Sequence, residues 1–160
     1  MLSTFNEARQ ALAPHVAQGL EAAITGAIEE EHLGEMIRAH LATGGKRLRA
    51  LVPLWLHVNL GGRIEDALPM AVALELLHNA TLVHDDLQDG DTHRRGEPTV
   101  WHRFGEAQAI NAGDALYFAG LTSLLTAPAG HRVAPAVCRA MTRVIEGQVR
   151  EFRLQDAPAS

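Results

Sequence analysis

Cysteine is nearly absent from this chain, and aromatic side chains are scarce. Cys138 is the single cysteine, which excludes a framework of internal disulfides and fits a reducing compartment. Its place in an apolar helical segment predicts a packing role rather than a nucleophile. Aromatic residues make up 4% of the 160 residues, although 47% are hydrophobic. A chain of this length and apolar content is expected to form one domain, 1–160, around one substantial core.

Long uninterrupted apolar runs and an excess of basic residues are missing too. The apolar stretches 67–83 and 107–125 are interrupted by polar residues that a lipid-facing helix tolerates poorly, namely Glu75, Asn79, Asn111 and Asp114. We therefore expect no transmembrane segment. The N-terminus lacks the basic and apolar regions of a signal peptide, so a cytoplasmic location is expected. A net charge of −5 argues against nonspecific binding of nucleic acid.

Alternating polar and apolar runs long enough for a sheet are also lacking, whereas Ala, Leu and Glu are abundant. The pattern predicts an all-α protein with helices at roughly 3–28, 31–41, 46–60, 65–90, 106–126 and 131–154. Glycine and proline punctuate the chain between these helices, including the segment 90–98.

Three carboxylates follow an apolar helix near the middle of the chain. Asp85 and Asp89 are four residues apart, and Asp86 and Asp89 are three apart, so on a helix they can share divalent ions. His78, seven residues before Asp85, faces the same way. Oxygen ligands without Cys or imidazole fit Mg²⁺ better than zinc, and Mg²⁺ often completes its shell with phosphate. The alternative is a solvated charge run, although acidic groups at a helix C-terminus oppose the dipole and need a cation.

Basic residues are concentrated in two glycine-containing segments. A Gly44-Gly45 bend leads into a predicted helix start, where backbone N–H groups with Lys46 and Arg49 attract an anion. Arg94 and Arg95 lie in the segment 90–98 and can each bind phosphate oxygens bidentately. Taken alone, each segment is also compatible with a structural or solvated role. Together they suggest two anionic substrates.

Over about residues 40–150 the chain resembles the trans-isoprenyl diphosphate synthases, or polyprenyl synthetases. The resemblance rests on the motifs above together with Leu74-Glu75-Leu76-Leu77-His78 and Gly113-Asp114-Ala115-Leu116. The resemblance implies an isoprenoid-synthase-type helical bundle, of which this chain corresponds to the N-terminal half. It also implies head-to-tail condensation of an allylic diphosphate with isopentenyl diphosphate. The implied catalytic residues are Asp85, Asp89 and Arg94. Asp85 and Asp89 would bind Mg²⁺ on the allylic diphosphate, and Asp86 would be a supporting metal ligand. Arg94 would bind that same diphosphate. The implied ligands of isopentenyl diphosphate are Lys46, Arg49, His78 and Arg95, and Gln148 matches a family glutamine near the allylic site.

Product length is expected to depend on the residues just before the acidic motif. In the family, aromatic residues four and five positions ahead of it accompany short products. Ala80 and Thr81 occupy these positions and are small. The resemblance therefore points to a product longer than fifteen carbons, with Leu77 deeper as a floor of the tunnel. The alternative is that Ala80 and Thr81 serve only close packing.

The chain departs from the family in length, because a second aspartate-rich motif and a Lys-Thr pair have no counterpart here. Three explanations remain: a fragment, one subunit of a split enzyme, or a non-catalytic subunit that binds prenyl diphosphate. A homo- or hetero-oligomer supplying the second motif is expected. A different class, a metal-dependent phosphohydrolase, would instead use His84-Asp85 with His57, His78 and Asp114. It leaves the basic residues unexplained.

Overall fold

A computed structural model describes residues 2–155, and these form seven helices and one two-stranded hairpin. The helices are α1 Phe5–Ala27, α2 Glu31–Ala42, α3 Leu48–Asn59, α4 Ile64–Gln88, α5 Val100–Phe104, α6 Glu106–Thr126 and α7 Gly130–Gln155, and the strands are β1 His93–Arg94 and β2 Glu97–Pro98. The all-α prediction is confirmed, and six predicted helices match six observed ones within a few residues at each end. The short α5 and the hairpin were not predicted.

Helix starts follow the local sequence. At α1, the Thr4 hydroxyl accepts from the Glu7 amide at 3.2 Å while the Glu7 carboxylate accepts from the Thr4 amide at 3.2 Å, which forms a capping box. At α2, the Glu30 carboxylate accepts from the amides of His32 and Leu33. The start of α3 differs, because its N-cap Arg47 has no side-chain capping bond.

The core forms around α4, which packs most extensively against α6 and also against α3 and α1. Small residues line the contact between α4 and α6: Ala73 and Ala80 on one helix, and Ala112 and Ala119 on the other, are at most 1% exposed. At Gly120, a Cβ would lie 3.0 Å from the Leu77 side chain. Close approach of the two backbones therefore depends on residues with little or no side chain, which leaves few voids.

The hairpin after α4 turns at Arg95 and Gly96. Both have positive φ, at 55° and 89°, and His93 pairs with Pro98 while Arg94 pairs with Glu97. A two-residue turn with positive φ at both positions matches the twist of the flanking strands. Arginine is an unusual residue for this conformation, and for this reason the sequence did not predict the turn.

Helix α7 contacts the rest of the described chain only sparsely, and its strongest contacts are with α6. Its apolar side chains Val144, Ile145, Val149 and Leu154 are 50–76% exposed. Cys138 is exposed as well, so the packing role predicted for it is wrong. Helix α7 does have an apolar face, but no neighbouring helix among residues 2–155 covers that face. None of the described helices is long and apolar enough to cross a membrane.

Candidate functional site

The acidic motif lies at the C-terminal end of α4, and its three carboxylates have different environments. Asp86 is 1% exposed, Asp85 is partly buried and Asp89 is exposed. Burial raises the pKa of Asp85, and repulsion from Asp89 raises it further. Asp85 and Asp89 thus form a mutually repelling pair one helical turn apart, and a divalent cation between them would relieve that repulsion.

Asp86 is bound by Arg94 rather than left for a metal. The Nε of Arg94 donates to the two oxygens of Asp86 at 2.8 and 3.0 Å, and a terminal nitrogen lies 2.6 Å from Oδ1. Burial raises the pKa of Asp86, while the same bond raises the pKa of Arg94. Asp86, the expected supporting metal ligand, and Arg94, the expected diphosphate ligand, therefore bind each other. Their bond fixes the hairpin to the end of α4.

Residues 44–47 form a tight loop in front of α3, and Arg49 lies in the first turn of that helix. Gly44, Gly45 and Arg47 all have positive φ, at 83°, 132° and 49°. The Arg95 guanidinium donates to the carbonyl of Gly44 and lies against Gly45, where a Cβ would overlap it. Gly45 is thus needed for this close approach. The contact between Arg95 and Gly44 joins two basic motifs 51 residues apart.

A polar cavity of about 340 Å³ lies between this loop and α4. Its lining includes the four residues expected to bind isopentenyl diphosphate: Lys46, Arg49, His78 and Arg95. Burial and the nearby Arg49 lower the pKa of His78, so this imidazole is neutral at pH 7. The sequence did not anticipate that Glu75, Asn79 and Arg47 also line the cavity. The feature of the sequence that could have indicated Glu75 and Asn79 is that both are polar residues inside an apolar helix.

A larger apolar cavity of about 710 Å³ adjoins the polar one. Both share Leu48, Arg49, His78 and Leu82 in their lining, and the apolar cavity reaches Asp85 at one end. Leu77 and Thr81 line it, as do Met141 and Val144 of α7. Ala80 does not line it and is fully buried in the core. Five residues of helix separate Ala80 from Asp85 by about 140° around the axis, whereas Thr81 is nearly in line with Asp85.

Gln148, His57 and His84 lie apart from these cavities. Gln148 is partly buried on α7 and lines none of the cavities described above. His84 approaches Asp114 at 3.7 Å and the carbonyl of Ile110 at 3.3 Å. His57 lies against Gly62, at the end of α3. The histidine-aspartate metal site is therefore not formed.

Within residues 2–155, no three His, Cys, Asp or Glu side chains are grouped so that they alone could hold a metal. The acidic motif offers Asp85 and Asp89 as two oxygen-donor side chains. Mg²⁺ is commonly bound by one or two carboxylates together with substrate phosphates and water. The donor set therefore fits Mg²⁺ when a diphosphate supplies the remaining ligands.

Both the sequence and the helical scaffold have counterparts in known proteins. Residues 30–159 match the polyprenyl synthetase family. The chain belongs to this family. It is 39% identical over 119 residues to a short chain isoprenyl diphosphate synthase from Methanocaldococcus jannaschii, a match covering 72% of this chain and 36% of that protein.

Solved structures of the family share the fold. A geranylgeranyl pyrophosphate synthetase from the archaeon Geoglobus acetivorans superposes with a TM-score of 0.86 at 33% identity, covering 94% of this chain and 50% of that one. A geranyltranstransferase from Thermotoga maritima also has a TM-score of 0.86, at 26% identity, with 95% and 57% covered. This chain thus spans about a third to a half of the relatives that it matches.

Proposed function

We propose that the chain carries the first half of a trans-prenyltransferase site, which condenses an allylic diphosphate with isopentenyl diphosphate. The supporting observation is the arrangement of three adjoining features: the carboxylate pair Asp85 and Asp89, the apolar cavity, and the polar cavity. The polar cavity is called the basic cavity from here on, because Lys46, Arg49 and Arg95 line it. Arg49 and His78 line both cavities. A diphosphate in the basic cavity would therefore place its hydrocarbon end at the apolar cavity, near Asp85.

The allylic diphosphate is proposed to bind at the carboxylate pair. Asp85 and Asp89 would hold Mg²⁺, which neutralises the negative charge of the leaving diphosphate. Arg94 uses Nε and one terminal nitrogen for Asp86, and a guanidinium has five N–H donors, so donors remain for a phosphate oxygen. Asp86 would then orient Arg94 toward the diphosphate rather than ligate the metal.

Isopentenyl diphosphate is proposed to bind in the basic cavity, where Lys46, Arg49 and Arg95 provide positive charge. Neutral His78 adds a hydrogen-bonding group without an unpaired buried charge. The apolar cavity would exclude water from the allylic cation, and fixed positions of the two substrates would favour attack by the double bond. The released diphosphate can take the proton, so no enzyme nucleophile is required.

The product is proposed to exceed fifteen carbons. Thr81 and Leu77 line the apolar cavity, and neither is an aromatic residue that would close it just below Asp85. Leu77 remains the proposed floor. The location of Ala80 in the core leaves Thr81 as the residue before the motif on which this proposal depends.

A second aspartate-rich region is needed for this activity and is proposed to come from a segment outside these residues or from another subunit, in a homo- or hetero-oligomer. The exposed apolar face of α7 supports a need for further protein, since monomers rarely leave such a face uncovered. A non-catalytic subunit that binds prenyl diphosphate is the second candidate, and the same exposed face is compatible with it.

The test is an assay of the purified chain with Mg²⁺, farnesyl diphosphate and labelled isopentenyl diphosphate, with separation of products by length. Asp85→Ala is expected to abolish product, and Asp66→Ala, an equal charge change at an exposed position of α4, is the matched control. Elongated product lost in the first variant supports catalysis. Magnesium-dependent binding of farnesyl diphosphate without turnover is the result expected of a first-half site that lacks its second aspartate-rich region. Turnover on addition of a protein that carries that region then supports catalysis, and continued absence of turnover supports the non-catalytic candidate. Absence of both activities contradicts both proposals.

A further inference from the structure

A buried polar network forms part of the wall of the basic cavity. Glu75 is 4% exposed, and its carboxylate accepts from the Ala50 amide at 3.3 Å and from the side chains of Arg47 and Asn79 at 3.4 Å each. The Oδ1 of Asn79 lies 3.1 Å from Nε2 of His40, which is also buried. Side chains of α2 and α4 are thereby linked to the basic loop and to α3.

Two features of the loop depend on Glu75. The amide of Ala50, in the first turn of α3, donates to the Glu75 carboxylate as well as to the Arg47 carbonyl at 3.2 Å, and the N-cap Arg47 makes no side-chain capping bond. Arg47 itself has the left-handed conformation, which for a non-glycine residue persists only where its surroundings enforce it. Its guanidinium is held by Glu75 and by the carbonyl of Leu41. The carboxylate therefore acts on both sides of the loop.

We propose that Glu75 is a positioning residue of the diphosphate cavity. It caps α3 and binds the guanidinium of Arg47 at the cavity lining, so that Lys46, Arg49 and Arg95 are left to bind the diphosphate. Asn79 and His40 hold Glu75 from behind. This inference rests on the proposed diphosphate site, and it assigns Arg47, the remaining cation of the loop, to structure rather than to ligand binding.

The sign of one mutational effect separates positioning from plain electrostatics. A carboxylate in the lining of an anion site repels the anion, so its neutralisation in Glu75→Gln would tighten binding if charge alone mattered. Glutamine, however, presents an N–H₂ group to a pocket in which Ala50, Arg47 and Asn79 all donate. Glutamine offers one acceptor oxygen in place of two, so at least one of these donors loses its bond to the side chain of residue 75 and the loop is released. Positioning therefore predicts weaker binding despite the more positive cavity.

The experiment is calorimetric titration of the full chain with inorganic diphosphate at pH 7 without divalent cations, so that the acidic motif is not engaged. Glu75→Gln is expected to weaken binding by about fivefold or more. Glu29→Gln, the same change at an exposed position between α1 and α2, is the matched control and is expected to bind as the unaltered chain does. Equal or tighter binding by Glu75→Gln overturns the inference.

Two further variants keep the outcomes distinct. Lys46→Ala tests the site itself: if the unaltered chain does not bind diphosphate, or binds it independently of Lys46, the proposed site fails and the inference with it. Should Glu75→Gln not fold, His40→Leu takes its place. Burial lowers the pKa of His40 to about 4, so this change removes no charge at pH 7, and weaker binding then reports positioning alone. Unchanged affinity in a folded His40→Leu variant counts against the network.

Discussion

Arg94 reaches from β1 to the last turn of α4 and binds the buried carboxylate of Asp86 at 2.6–3.0 Å. The side chain of Arg94 is 23% exposed and that of Asp86 is 1% exposed, so the pair closes one side of the acidic motif. Asp85 and Asp89 lie outside this pair, with Asp85 partly buried and Asp89 exposed. The motif thus contains a structural pair and a pair suited to a cation.

Loss of Arg94 is expected to destabilise the fold. Arg94→Met leaves Asp86 buried without its partner, which costs roughly 3 kcal/mol when a buried ion pair loses one member. Urea unfolding measures this change. Arg63→Met, which removes an arginine from the exposed pair with Glu65, is the control and should cost less than about 1 kcal/mol. Similar losses in both variants would contradict the structural role of the pair.

Asp85 is expected to lower the stability of the fold at pH 7 and to contribute to ligand binding. Its pKa is raised in the folded state, so the folded chain binds the proton more tightly; the resulting stability is complete below the unfolded value of 3.8 and is lost as pH rises through the folded pKa. At pH 7 without metal, Asp85→Asn should therefore raise the Tm by roughly 1–3 °C. The difference should shrink toward pH 4.

Thermal scans with and without Mg²⁺ and farnesyl diphosphate test whether Asp85 contributes to ligand binding. The ligands should raise the Tm of the unaltered chain but not that of Asp85→Asn, because binding to the folded state alone stabilises it. A lower Tm of the variant at pH 7 without ligands would show that Asp85 is not a destabilising carboxylate.

Two helical glycines should respond oppositely to alanine. Gly113 on α6 lies against the His84 imidazole, which a Cβ would overlap, so Gly113→Ala should cost about 1–3 kcal/mol by overpacking. A Cβ at Gly147 on α7 would meet no neighbouring group within 4 Å. Gly147→Ala should therefore stabilise the fold by about 0.5–1 kcal/mol through helix propensity. Denaturant midpoints give both values. A His84→Ala background should relieve the first cost, and if it does not, the clash is not with His84.

Product length should depend on Thr81 and not on Ala80 in a catalytically complete assembly. Thr81→Phe adds an aromatic ring to the lining of the apolar cavity and should shift products to shorter chains while the fold is kept. Ala80→Phe forces the same ring into a filled core and should destabilise by about 1–3 kcal/mol or more. Chromatography of labelled products and thermal unfolding separate the two effects. Unchanged product length in a folded Thr81→Phe variant would exclude this cavity as the tunnel.

Local sequence predicted the helices well and the hairpin poorly. Helices α4 and α6 are long, rich in Ala and Leu and without strand-type alternation, so their length and composition predict helix. The hairpin depends on Arg95 in a left-handed conformation, which is held by its contact with Gly44 far away in sequence. A pattern read along the chain does not include that contact.

The sequence by itself determined the helical class, the family and the grouping of the carboxylates and basic residues, because these depend on composition and short spacings. Only the tertiary structure separated Asp86 from Asp85 and Asp89, removed Ala80 from the cavity lining and brought Glu75 behind the basic loop. Burial and long-range pairing decide these differences. The free energy of a carboxylate depends on whether water, a guanidinium or another carboxylate surrounds it, and the packing of distant helices determines which of these it meets.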